Sequence, residues 1–330
     1  MAIIANKTYN LRDYAAQFGA NGSELAIAEV LSQTNDIVND MVMCEGNSDM
    51  GHEFAVRTGI PRGAFRRAYQ GLPPEKATSK MVLARAGTLG AYSVIDKLIA
   101  EKGGNLDAVR SGQSKAIIAG MSNTMADAMI YGGKDELDKF PGLAAHYDDL
   151  SKKVDSSRNI VNAGSTKENK NSSIYLVVWD TDKVFSFCPK GSKAGISRVD
   201  HGLVNHIDAD GKEYPAYKEY FEWKLGIAVQ DWRFAGRVCN IDTTDLANVD
   251  IAGLMQDLEE KIQAVNVGRP VFYMNRTLRS ALRKQLGNKA NVQYSPDSPT
   301  AKPVMKLDEI PVHICDCIKD TEAKVVAKGA

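Results

Sequence analysis

Five cysteines in 330 residues, Cys44, Cys188, Cys239, Cys315 and Cys317, are too few and too scattered for a disulfide framework. Their odd number predicts free thiols in a reducing cytoplasm. Long apolar runs are also missing: none approaches the roughly 18–20 residues that a membrane span needs. The first residues lack a basic segment followed by an apolar one, so no signal peptide is expected. Neither sign of charge dominates. Lys plus Arg number 41 and Asp plus Glu number 41, a formal net charge of zero. That balance excludes a dedicated, strongly basic nucleic-acid binder. It also removes the net repulsion that keeps copies of a protein apart.

Familiar chemical motifs are absent as well. No Gly-x-Gly-x-x-Gly follows a strand, and there is no Gly-x4-Gly-Lys-Ser/Thr phosphate loop. There is no Gly-x-Ser-x-Gly elbow. Histidine is scarce: His52, His146, His201, His206 and His313. His201 and His206 stand five apart, whereas a helical metal pair wants a spacing of four with a glutamate between. Cys315 and Cys317 share one strand face and read as small buried residues. Asp180 and Asp182 read as turn residues. No catalytic, cofactor or metal site is expected. The enzyme alternative would centre on Asp200, His201 and His206.

What is present is elongated. Ser23 can cap a helix over about 24–41, with Leu25, Ala28, Leu31, Val38 and Met41 on one face. Phe54, Val56 and Thr58 alternate as in a strand. Residues 60–79 are broken by Pro61, Gly63, Gly71, Pro73 and Pro74. A second extended run follows at about 80–95. The whole reads as a two-stranded excursion with an irregular tip, marginal alone in water and in need of a surface. Arg62, Arg66 and Arg67 sit at that tip.

A helix is predicted over 105–131, with Ile117, Met121, Met125 and Ala128 in a stripe and Gly132 and Gly133 as the stop. A short helix is expected near 142–153 and a polar loop at 162–172. Ile174 to Trp179 and Val184 to Phe187 read as a hairpin around Asp180 to Lys183. Phe221, Trp223, Leu225, Ile227 and Val229 alternate within one long run, 219–241, whose phase shifts after Asp231 as at a bulge. Then come a helix at about 249–265, a strand at Pro270 to Met274 and a basic helix capped by Asn275. A loop at 288–303 and a strand from Ile310 to Ile318 follow, and the tail 319–330 is expected to be loose.

Long elements beside unanchored arms suggest a chain that stabilises itself against its own copies. Their order resembles the major capsid proteins of tailed bacteriophages, the HK97 fold, and is most similar to the short-tailed phage branch. Five segments carry the resemblance: Leu31 to Met41, Glu45 to Pro61, Glu219 to Arg233, Gly268 to Arg276, and Ile310 to Asp316. It implies an α+β subunit and no enzyme. Residues 1–45 would be an N-terminal arm and first helix, and 46–95 an extended loop. Residues 96–139 and 205–244 would form a peripheral domain with the spine helix 105–131. Residues 140–204 and 245–330 would form an axial domain.

In the commoner family order a peripheral strand comes close to the chain's end. Here the long strand precedes the last helices, which implies a topological variant. The resemblance further implies pentamers and hexamers of the chain itself, around double-stranded DNA contacted without sequence preference. Scaffolding and cement proteins are possible partners in such a virion, assembled in the host bacterial cytoplasm. Arg62, Phe65, Arg66, Arg67 and Tyr69 are the expected contacts between subunits. Lys76 and Lys80 lie near the loop, but no crosslinking constellation accompanies them, so non-covalent assembly is expected. A cement or connector protein of a virion is the remaining alternative.

Overall fold

The computed structural model describes residues 34–49, 51–59, 61–102, 106–136, 138–151, 153–207, 211–262, 265–287 and 305–328. One helical turn, α1 (Ile37–Asp40), leads to β1 (Met43–Glu45), β2 (Gly51–Gly59), β3 (Thr78–Arg85) and β4 (Gly87–Asp96). The short α2 (Lys97–Ala100) precedes the long helix α3 (Leu106–Tyr131), and α4 (Leu143–His146) is a single turn. Six strands follow: β5 (Ile160–Asn162), β6 (Asn171–Trp179), β7 (Val184–Cys188), β8 (Ile196–Ile207), β9 (Glu213–Val229) and β10 (Ala235–Asp242). Last come α5 (Ile251–Lys261), β11 (Arg269–Met274), α6 (Arg276–Gly287), β12 (Lys306–Leu307) and β13 (Ile310–Ile314).

Among the described residues, eleven strands join one sheet along the path β12-β13-β11-β6-β7-β9-β4. β10 lies beside β6, β5 beside β10, β1 beside β7 and β8 beside β9. β2 and β3 stand apart as a two-stranded ribbon.

The sheet's centre is β6, whose nine residues are all buried. Ile174, Leu176 and Val178 pack with α5 and α6 on one face, and Tyr175, Val177 and Trp179 pack with α3 on the other. Successive strand side chains point to opposite faces, so a strand covered on both sides reads as continuous apolar sequence. α5 turns Ile251, Met255 and Leu258 inward and is capped by Asp250, which accepts from the Gly253 amide at 3.3 Å. Asn275 caps α6 as expected, accepting from the Leu278 amide at 2.9 Å. α3 has 26 residues and runs about 39 Å. Met121, Met125 and Met129 are buried, with Ile117 and Ala128 packed beside them.

Several expectations need correction. The predicted helix over 24–41 lies outside the described residues up to residue 33, and within them helix is confined to Ile37–Asp40. The extended run at 80–95 is two strands, broken at Ala86, because β3 pairs with β2 whereas β4 pairs with β9. The helix near 142–153 is only one turn. β6 and β7 are not a hairpin. They meet at the single pair Trp179 and Val184, and the turn between them sends the chain from the β10/β11 neighbourhood to that of β1 and β9.

The long run at 219–241 is also two strands. The phase shift at Asp231 is not a bulge. It is a 3-10 turn over Trp232–Phe234, after which β10 pairs with β6 instead. β9 starts earlier than expected and spans 17 residues. The last strand ends at Ile314. The loop at 288–303 lies outside the described residues.

The tail is not loose over 319–328. Glu322 is buried, its amide donates to the Asn171 carbonyl at 2.8 Å, and the Val325 amide donates to Asn240 Oδ1 at 2.8 Å.

Candidate assembly surface

The ribbon β2–β3 is fastened at its base. Phe54 packs with Phe185 and Phe187, and the His52 ring stands edge-on to Phe185 at 5.2 Å. Asn47 clasps the backbone of Glu53 by accepting from its amide and donating to its carbonyl, each at 2.7 Å. Gly51 permits the close pairing there, since a Cβ would stand 2.1 Å from the Ala84 carbonyl oxygen. Beyond the ladder, every residue of 61–77 is exposed. Phe65 and Tyr69 are as open as in a free peptide, at 109% and 108% relative exposure.

The tip has its own local order. The Gly63 amide donates to Glu75 Oε2 at 3.0 Å, and the Gln70 amide to the Arg67 carbonyl at 3.2 Å. Tyr69 adopts the left-handed backbone at φ 66°. The five residues expected from sequence, Arg62, Phe65, Arg66, Arg67 and Tyr69, therefore all lie on this exposed tip. Two large apolar side chains in open water gain nothing from burial in the lone subunit.

The body behind the ribbon is held by three polar clusters, none of them anticipated from sequence. In the first, the segment carrying α1 is pinned to the sheet. Asp40 Oδ2 meets His313 Nδ1 at 2.5 Å and accepts from the Tyr273 hydroxyl at 2.9 Å, while the Tyr273 hydroxyl accepts from Trp179 Nε1 at 2.8 Å. The Asp40 carboxylate bonded to His313 holds that imidazole above the ordinary histidine range, although partial burial works against it. Asp316 accepts from the Thr34 amide at 2.9 Å and from Arg276 Nε at 2.9 Å.

The second cluster joins α3 to β8 and β9. Glu219, buried, accepts from Arg110 Nε at 2.8 Å, Arg198 Nη2 at 2.7 Å and Ser114 Oγ at 2.9 Å. Burial pushes its carboxyl up, but these hydrogen bonds and the two guanidinium charges outweigh it and leave the pKa below the ordinary range. A legible signal existed. Glu219 shares the inward phase of Phe221, Trp223 and Leu225, an acid where the alternation calls for an apolar residue.

The third holds the tail. Glu322 Oε2 accepts from Arg237 Nη2 at 2.8 Å, and both side chains are only 5% exposed. Its Oε1 accepts from the Tyr131 hydroxyl at 2.5 Å, and Ser173 Oγ donates to the same carboxylate. Arg237 also donates to the Tyr147 carbonyl at 3.2 Å and stacks over Tyr175.

Two of the three residues of the enzyme alternative, Asp200 and His206, have structural partners. Asp200 pairs with Arg110 at 2.5 Å and accepts from the Gly202 amide at 2.8 Å. His206 rests edge-on against Tyr214 at 5.6 Å. His201 is exposed at the irregularity of β8. Cys315 and Cys317 are both buried, with sulfurs 3.0 Å apart, and the contact with the Cys317 sulfur, then burial, push the Cys315 thiol well above its ordinary range. Among the described residues, no helix is long and apolar enough to cross a membrane.

A family model described as Major capsid protein GP7 matches residues 19–326. A chain in the cryo-EM structure of bacteriophage Epsilon15 is similar over 99% of this chain and 100% of its own, with a TM-score of 0.79 and 26% identity. A chain of the bacteriophage JBD30 capsid matches over 88% of this chain and 93% of its own, with a TM-score of 0.49 and 9% identity. No curated protein matches. With a family model spanning nearly its whole length and an HK97-like α+β fold, the chain belongs to the GP7 family of major capsid proteins, the subunits that build the icosahedral shell of a tailed phage.

Proposed function

We propose that copies of this chain assemble as pentamers and hexamers, and that each ribbon tip rests on a neighbouring copy through Arg62, Phe65, Arg66, Arg67 and Tyr69. The observation that carries this reading is the tip itself: seventeen consecutive exposed residues, 61–77, holding two fully open aromatic rings and three arginines with no ion pair among the described residues. A two-stranded ribbon without a core is marginal in water. A neighbour's surface removes the aromatic area from solvent and holds the guanidinium groups near acceptors.

In this reading residues 1–45 are the arm, 46–95 the extended loop, 96–139 and 205–244 the peripheral domain, and 140–204 with 245–330 the axial domain. Glu219 then ties the spine helix to β9 of the peripheral domain and to Arg198, which these bounds place in the axial domain. Shell maturation is a rigid-body change between bistable interfaces. The packaged double-stranded DNA is contacted without sequence preference, so that contact weakens with salt. Scaffolding and cement proteins are further partners, assembly takes place in the host bacterial cytoplasm, and the contacts are non-covalent.

Deleting residues 62–76 tests the reading. The truncated subunit should keep its fold, measured by circular dichroism and thermal melting, yet make no regular shells in negative-stain images. Regular shells from the truncated chain would overturn it.

A further inference from the structure

Some charges among the described residues find ion-pair partners. Asp148 pairs with Lys134 and Lys328, Asp242 with Lys167, and Glu219 with Arg110 and Arg198. The helical layer over β6, β10 and β11 is different. α6 contains no acid between Arg276 and Gly287. Among its described side chains, Leu278 and Leu282 are fully buried. At 100° per residue, Arg279, Arg283 and Arg276 then fall together on the outer flank. With Ser280, Lys284 and Ile314 they line an open cleft of about 530 Å³. Arg276 is committed to Asp316. Arg279, Arg283 and Lys284 make no ion pair among the described residues, and the Nε of Arg279 is buried with no hydrogen-bond partner.

The opposite sign gathers nearby. α5 presents Asp257, Glu259 and Glu260, and the β12–β13 turn presents Asp308 and Glu309. Gln256 Nε2 donates to Asp308 Oδ2 at 2.9 Å, which draws the turn against the helix. Burial, then the charges of Asp308 and Glu260, push the Glu259 carboxyl above its ordinary range, so these acids repel one another. None of the five makes an ion pair among the described residues.

A phosphate backbone would satisfy the cations and leave the acids facing a polyanion. A second copy of the chain satisfies both patches with one repeated contact. We propose that Arg279, Arg283 and Lys284 of one copy seat against Asp257, Glu260 and Asp308 of the next, head to tail around each ring. Such heterologous contacts generate rings when their rotation closes. Charge complementarity of this kind sets register and speeds encounter more than it adds affinity. The proposal rests on the assembly reading above and adds to it which faces meet.

The test uses full-length chains. R279E/R283E makes both flanks acidic, and D257K/E260K makes both basic. Each alone should assemble at least about tenfold more slowly than wild type in light scattering at low salt, with an unchanged thermal melt. Mixed one to one, the two should alternate into even-membered rings, giving hexamers but no pentamers and hence no closed shells. The four-fold swap in one chain should close shells again, which keeps the proposal testable where a single-sign variant folds poorly. Wild-type assembly by both single-sign variants would overturn it, as would a four-fold swap that fails to rescue. If R279E/R283E assembles normally but loses binding to a short DNA duplex, the face is a nucleic-acid surface and the proposal is wrong. Failure of the wild-type chain to form shells would instead count against the assembly reading.

Discussion

Glu322→Ala probes whether the C-terminal segment is part of the folded body. The wild-type carboxylate accepts from Arg237, Tyr131 and Ser173 in a site where acid and guanidinium are each 5% exposed. Removing the acid leaves Arg237 charged and almost wholly out of water. A broken buried pair costs about 3–5 kcal/mol, because the stranded charge keeps its desolvation penalty and loses its attraction. Arg237 retains its bond to the Tyr147 carbonyl and its contact with Tyr175, which favours the lower end of that range.

Urea unfolding of the unassembled subunit is the assay, and in a parallel thermal melt the melting temperature should fall by about 4–7 °C. Hydrogen exchange over 319–328 should rise with it. The double variant Arg237→Met with Glu322→Met should recover most of the loss, since replacing both charges by apolar groups is often neutral. A cost below about 1 kcal/mol for Glu322→Ala would place this ion pair among weak, solvated ones. The buried tail would then be refuted.

Two pH-dependent outcomes follow from the other clusters. His313 has its pKa raised by Asp40, so its stabilisation is fully present below the ordinary histidine value of about 6.5 and is lost as pH rises through the raised folded value. Hydrogen exchange at residues 36–40, corrected for intrinsic rates, should therefore accelerate above neutral pH in wild type. In His313→Asn that dependence should vanish. Glu219 has its pKa lowered, so its contribution is present above the ordinary glutamate value of about 4.3 and is lost as pH falls through the lowered folded value. Glu219→Gln should cost about 1.5–3 kcal/mol at neutral pH in urea unfolding. The gap to wild type should narrow below pH 4, and a gap independent of pH would contradict the cluster's electrostatic origin.

Legibility followed how local the physics was. The spacing of Met121 and Met125, the Asn275 cap and the breakers from Pro61 to Pro74 act within a turn or two, and they located α3, the start of α6 and the ribbon tip. Partner choice is not local. β6 and β7 carry every short-range sign of a hairpin, but each finds longer ladders elsewhere, with β10 and β11 for one and β1 and β9 for the other. The Asp231 phase shift was readable, whereas its meaning depended on which strand waits beyond Phe234. Glu322 gave no signal, because an acid in a polar terminal segment looks solvated until Arg237, 85 residues away, is placed beneath it.

The placement of polar clusters and open faces has one physical logic. Asp40, Glu219 and Glu322 each bind elements distant in sequence: α1 to β13, α3 to β8 and β9, and the tail to β6 and β10. Buried charge of this kind adds little net stability over apolar packing, so register between elements is the better reason for it. Among the described residues, Arg62, Arg66 and Arg67 at the tip, Arg279, Arg283 and Lys284 on α6, and Asp257 and Glu260 on α5 make no ion pair. In the assembly proposed above, other copies supply the surfaces that the arm and these flanks lack. The 41 cations and 41 anions cancel in number, and the proposed contact draws only on the few that stand without an ion pair on the α5/α6 layer.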